Sequence, residues 1–107
     1  IAPIDLCTIF SNIISNAIEA CRKIKDEEDR IIKAIIKRNG NSLYVIIENP
    51  TIVRVDISKL ITSKSDKKNH GFGVRNIIET VKGYKGEVEF KSTKNKFSVE
   101  ILFPDIL

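Results

Sequence analysis

The chain has 107 residues, 42% of them hydrophobic and 30% charged, with a net charge of +4. That is one domain's length of chain with enough apolar material for a core. Both charge signs are interleaved and the apolar runs are short, which excludes a polyelectrolyte tail and a membrane-spanning helix. The basic excess is mild and the two Tyr are scattered, so nothing points to nucleic acid.

Residues 4–24 open the order of elements. Leu6, Ile9, Ile13, Ala17, Ala20 and Ile24 recur at three- and four-residue steps, predicting a helix. Its polar stripe holds Thr8, Asn12, Ser15, Asn16, Glu19 and Lys23, and Pro3 and Asp5 suit its start. Cys7 and Cys21 share this helix, about 21 Å apart at about 1.5 Å per residue, too far for a disulfide. They are expected as reduced core thiols, and with one His they supply no metal cluster.

Lys25 to Arg30 is a charged connector. Residues 31–38 and 42–49 are β-branched runs around Asn39-Gly40-Asn41, which predicts a hairpin. Pro50 closes the second strand. Residues 50–70 then lose periodicity, which predicts a long, Lys-rich functional lid. Gly71-Phe72-Gly73 opens a second helix with Val74, Ile77, Ile78 and Val81 on its apolar face, and Gly83 and Gly86 bracket its end. Residues 87–92 and 97–103 alternate as a second hairpin turning at 93–96. This order predicts an α+β fold, a two-layer sandwich with helices on one face of a mixed, mostly antiparallel sheet.

Three constellations carry chemistry. Asn12 and Asn16 lie one turn apart on a helix where Asn is a poor interior residue. Their amides offer neutral oxygens to a hard cation and donors to phosphate, although a solvated polar stripe would look the same. His70-Gly71-Phe72-Gly73-Val74-Arg75-Asn76 sits at a loop-to-helix junction, where glycines let backbone N–H groups approach an anion. A helix with a flexible entry is the plain alternative. Asn49, before Pro50, can aim its amide into a pocket or serve only as a turn residue.

Taken together, SNIISNAIEAC, a strand ending in IENP, and TSKSDKKNHGFGVRN resemble the GHKL, or Bergerat-fold, ATPase superfamily. The likeness spans nearly the whole chain. It is greatest to the catalytic, ATP-binding domain of bacterial sensor histidine kinases, the peptide quorum-sensing receptor kinases in particular. The resemblance implies that Asn16 holds Mg²⁺ against the phosphates of ATP, with Asn12 lining the phosphate side. Asn49 takes the place of the adenine-reading Asp, followed by Pro50 and Thr51 where that family has glycines. Gly71 and Gly73, with Phe72 between them, would cradle phosphates beside His70, and Lys64 in the lid would contact them.

The hydrolysing branches of that superfamily carry a general-base Glu where this chain has Asn12, and a neutral amide takes no proton from water. The implied activity is therefore transfer of the γ-phosphoryl group to a His of a separate dimerisation domain, with no catalytic nucleophile in this chain. Residues 1–107 would form a single catalytic domain of a longer, membrane-anchored kinase. That domain would be cytoplasmic and make no membrane contact of its own. Its partners would be the phosphoacceptor helices and, indirectly, a response regulator. Two alternatives share these residues: a non-catalytic pseudokinase or interaction module, and a serine kinase of the anti-sigma-factor type.

Overall fold

The computed structural model describes residues 2–62 and 70–106, without the side chains of 61–62 and 70–73. Helix α1 (Pro3–Arg22) leads into a single 3₁₀ turn at Glu27–Asp29 and strands β1 (Lys33–Asn39) and β2 (Ser42–Pro50). Helices α2 (Ile57–Thr62) and α3 (His70–Gly83) follow, then strands β3 (Glu87–Ser92) and β4 (Lys96–Phe103). The sheet order is β1-β2-β4-β3, and every pairing among the described residues is antiparallel. The α+β sandwich therefore forms as the element order predicts.

The register decides which side chains meet the helices. Residues directly opposite share a face, so Val45, Ile101 and Val88 form one inward row and Ile47, Val99 and Phe90 the next. Ile9 and Ile13 of α1 and Ile77 and Val81 of α3 close over these rows, with Phe103 at the end of β4. The outward rows hold Tyr44, Glu48, Lys91 and Glu100. There the Tyr44 hydroxyl donates to Glu100 Oε1 at 2.7 Å, and Lys91 Nζ lies 3.0 Å from Glu100 Oε2. Strand β1 is the sheet edge beyond the helices, and all seven of its residues are exposed, Ile35 and Ile36 included.

The predicted connections form for local reasons. Asn39 pairs with Ser42, so the β1–β2 loop is Gly40-Asn41, and Gly40 takes φ 61° at its first central position. That is the glycine placement of a type II′ hairpin turn. Helix α3 ends in a Schellman motif: Gly86 N–H donates to Val81 O at 2.9 Å and Lys85 N–H to Lys82 O at 2.9 Å. Lys85 holds the left-handed position with φ 60°. A Cβ on Gly86 would lie 2.6 Å from the Leu102 carbonyl oxygen, so only glycine fits there. The Tyr84 hydroxyl just beyond α3 donates to Asp5 Oδ2 and accepts from Ala2 N–H, tying the start of α1 to the end of α3.

Two expectations are corrected. Cys21 is buried but Cys7 is exposed. The buried stripe of α1 runs Ile9, Ile13, Ala17, Cys21, and Cys7 falls on the outer side with the exposed Ile4 and Ser11. The second concerns residues 50–70, expected as an aperiodic lid: they contain α2. Asp56 caps that helix, its Oδ1 accepting from Lys59 N–H at 3.2 Å and its carbonyl from Leu60 N–H at 3.0 Å. Residues 63–69 of that expected lid, Lys64 among them, lie outside the described residues. No helix among the described residues is long and apolar enough to cross a membrane.

Candidate functional site

A cleft of about 280 Å³ opens between α1, the end of β2, α2, α3 and the β3–β4 hairpin. That is near the lower end of the range for small-molecule pockets. Its walls are mostly apolar. Ile13 and Ala20 come from α1, Val55 and Leu60 from the segment containing α2, and Val74 and Ile77 from α3. Phe90, Phe97 and Val99 close the sheet side, the two rings stacked at 6.2 Å and 23°. The polar groups are few: Asn16, Glu19 and Lys23 along α1, and Asn49 and Thr51 where β2 runs out.

Each polar group is placed by its element. Asn16 sits one residue before the buried Ala17, so the helix that buries its apolar stripe in the core turns this amide to the cleft. Asn49 faces inward by strand alternation, paired with Phe97, and is only 6% exposed. Its Nδ2 donates to Pro50 O at 3.0 Å. An amide oxygen could not sit against that carbonyl oxygen, so the bond fixes Oδ1 as the group left for a ligand. Thr51 is 9% exposed, and its N–H donates to Asn95 O at 3.0 Å, continuing the sheet one residue past β2. Its Oγ1 is buried with no hydrogen-bond partner, the one such side-chain atom among the described residues. Val55 N–H donates to Ser92 Oγ at 2.9 Å, which pins the next stretch of chain against β3.

Of the residues singled out in the sequence, Asn16 and Asn49 meet in this cleft. Asn12 is half-buried on α1 and is not among the lining residues. His70, Gly71, Phe72 and Gly73 form the first turn of α3, whose next residues, Val74 and Ile77, line the cleft. Lys64 is outside the described residues. Sequence reasoning missed Thr51 and the aromatic pair, and it marks Glu19 only as part of the polar stripe of the first helix, where the structure puts it in the lining. Phe90 and Phe97 were legible as inward strand positions. That they floor a cleft depends on how the helices splay above them.

An apolar slot with one oriented amide oxygen and one orphaned hydroxyl suits a flat, nitrogen-edged base. Comparison with protein families matches residues 1–104 to the GHKL domain. The chain belongs to the GHKL family. No curated protein matches it. As a GHKL domain its coarse function is ATP binding for phosphoryl chemistry of the ATPase and kinase type. The cleft fits the base of that ligand: aromatic and aliphatic walls, a neutral acceptor and an unsatisfied hydroxyl. Among the described residues of this GHKL domain, no three His, Cys, Asp or Glu side chains come together to hold a metal ion.

Proposed function

We propose that this GHKL domain is the catalytic domain of a histidine kinase, holding ATP·Mg²⁺ and presenting its γ-phosphoryl group to a histidine on a separate dimerisation domain. The observation that carries the reading is the pairing of Asn16 with Asn49 across one cleft, with an amide, Asn12, one turn before Asn16. Asn49 accepts from the base. Asn16, on α1, lines the same cleft, where its amide oxygen is a hard, neutral ligand suited to Mg²⁺. When bound, Mg²⁺ supplies charge neutralisation at the phosphates. The backbone N–H groups at Gly71 and Gly73 take the phosphate oxygens at the start of α3, and His70 and Lys64 are the further phosphate contacts in this reading. The chain contributes positioning and electrostatics, which is most of what phosphoryl transfer needs. Residues 1–107 act as one domain on the cytoplasmic side of a membrane-anchored parent, partnered by phosphoacceptor helices and, through them, a response regulator.

Titration calorimetry with ATP tests this directly. The expected result is micromolar or weaker binding that strengthens with Mg²⁺, and an Asn16→Ala variant that keeps its melting temperature within a few degrees but loses the Mg²⁺-dependent part. Phosphate release without an added acceptor should stay near background. Among the described residues Glu19 is the carboxylate that lines the cleft, so steady hydrolysis abolished by Glu19→Gln would instead make the domain an ATPase. Absence of binding at millimolar nucleotide would favour a non-catalytic interaction module.

A further inference from the structure

We propose that Thr51 reads the nucleobase: its hydroxyl and the Asn49 amide oxygen form a donor–acceptor pair for the N1 and N6-amino edge of a 6-aminopurine. The inference rests on the nucleotide-binding reading above and adds to it a residue and a rule of discrimination.

Two observations carry it independently. The first is the unsatisfied hydroxyl. Thr51 Oγ1 is buried at a residue 9% exposed, without a partner, in the lining of the cleft. A hydroxyl left unpaired in an apolar setting costs free energy. A buried polar atom of this kind marks the place of a missing partner. Valine has the same shape and would avoid the cost, so packing gives no reason for threonine here. The second is the orientation of Asn49. A free amide can flip and accept or donate as the ligand demands. Here Nδ2 is engaged by Pro50 O at 3.0 Å, so the cleft meets Oδ1 as an acceptor.

The two residues are i and i+2 across Pro50, on the same side of an extended chain. The Thr51 backbone is fixed by its bond to Asn95 O. Adenine offers an N6-amino donor beside an N1 acceptor, so Oδ1 takes the amino hydrogen. The buried Thr51 hydroxyl, uncovered as the base seats, then donates to N1. Guanine reverses both groups. The hydroxyl can turn and accept from N1–H, but the fixed Oδ1 would face O6, acceptor against acceptor. Thr51 thus supplies affinity through N1, and the held amide supplies the exclusion of 6-oxopurines.

The test is a ligand-and-residue cycle on the whole 107-residue chain, with the natural protein and Thr51→Val titrated with ATP and 1-deaza-ATP, which lacks N1. Thr51→Val should bind ATP about 5- to 10-fold more weakly, the size of one hydrogen bond. 1-Deaza-ATP should bind both proteins alike. Without nucleotide, Thr51→Val should melt at a higher temperature, since an orphaned hydroxyl has been replaced by a methyl group. A merely structural threonine would not give a more stable protein that binds less well. GTP should bind the natural protein at least 10-fold more weakly than ATP. Equal ATP affinity in the two proteins, or an equal penalty for 1-deaza-ATP in both, overturns the role of Thr51 while leaving nucleotide binding intact. GTP binding as tight as ATP overturns the exclusion rule. Failure of the natural protein to bind any of these nucleotides overturns the nucleotide reading itself, and this inference with it.

Discussion

Asn49 combines three properties that rarely coincide in one side chain: it is 6% exposed, it faces a cleft, and its amide donates to the carbonyl of the next residue. Replacing it by Asp tests what the neutral amide is for. The carboxylate would keep the acceptor but lose the donor to Pro50 O, and it would set a buried charge against a carbonyl dipole. Asn49→Asp should therefore lower the stability of the nucleotide-free chain by about 1–3 kcal/mol in urea unfolding at neutral pH. The loss should shrink as the pH falls and the new acid is protonated. An unchanged unfolding midpoint would mean that the amide does not hold the orientation described. At this scale the sequence was informative where a residue type is unusual for its setting. Asn16 inside a helix and Asn49 ending a β-branched strand both stood out, and both are in the cleft. Thr51 carried no such mark, because a threonine after a proline is ordinary until its hydroxyl is found buried and unpaired.

Among the elements, the end of α3 shows how one turn can be both well formed and suboptimal. The Schellman bonds are in place, yet the left-handed position belongs to Lys85 at φ 60°, with glycine one residue later. Lys85→Gly should stabilise the chain by roughly 0.5–1 kcal/mol, because the strain of a side chain in that conformation is removed. Gly86→Ala should destabilise it by about 1–3 kcal/mol, since its Cβ would meet the Leu102 carbonyl 2.6 Å away. Thermal and urea unfolding of the two single variants would check both signs. Period and turn chemistry made α1, α3 and all four strands legible, because each repeats its pattern over many residues. Helix α2 was not legible. Six residues give too few turns for a periodicity, and its signal was the cap at Asp56 followed by Ile57, Leu60 and Ile61. Cys7 was misplaced because the helical spacing admits two neighbouring stripes, and only packing against α3 and the sheet selects the one through Cys21.

For the molecule as a whole, two hydrogen-bonded groups, one on the outward face of the sheet and one joining α1 to the end of α3, set how stability responds to pH. Hydrogen bonds from Tyr44 and then Lys91 hold the Glu100 carboxyl below its ordinary range. The same bonds raise Tyr44 and Lys91, and Tyr84 is raised by its bond to Asp5. A lowered acid contributes stability that is present above the ordinary carboxylate range and is lost as the pH falls through its native value. The raised phenols and ammonium contribute stability that is complete below their ordinary values and is lost as the pH rises through the native ones. The melting temperature should therefore be flat from about pH 5 to 9 and fall on both sides. Tyr44→Phe should soften both arms, a result that melting curves across the pH range would show. The same face continues to β1, where Lys33 and Lys37 flank Ile35, with Arg38 on the opposite face, on a strand whose outer backbone edge has no neighbour among the described residues. Such an edge is a template for another chain, and charge along it is what keeps copies apart. Two copies meeting there would bring cations toward cations, on molecules that already repel through a net charge of +4. That repulsion reaches only about 8–10 Å at ordinary salt, so the colloidal lifetime of a concentrated solution is set by its ionic strength and by three basic residues that take no part in the cleft.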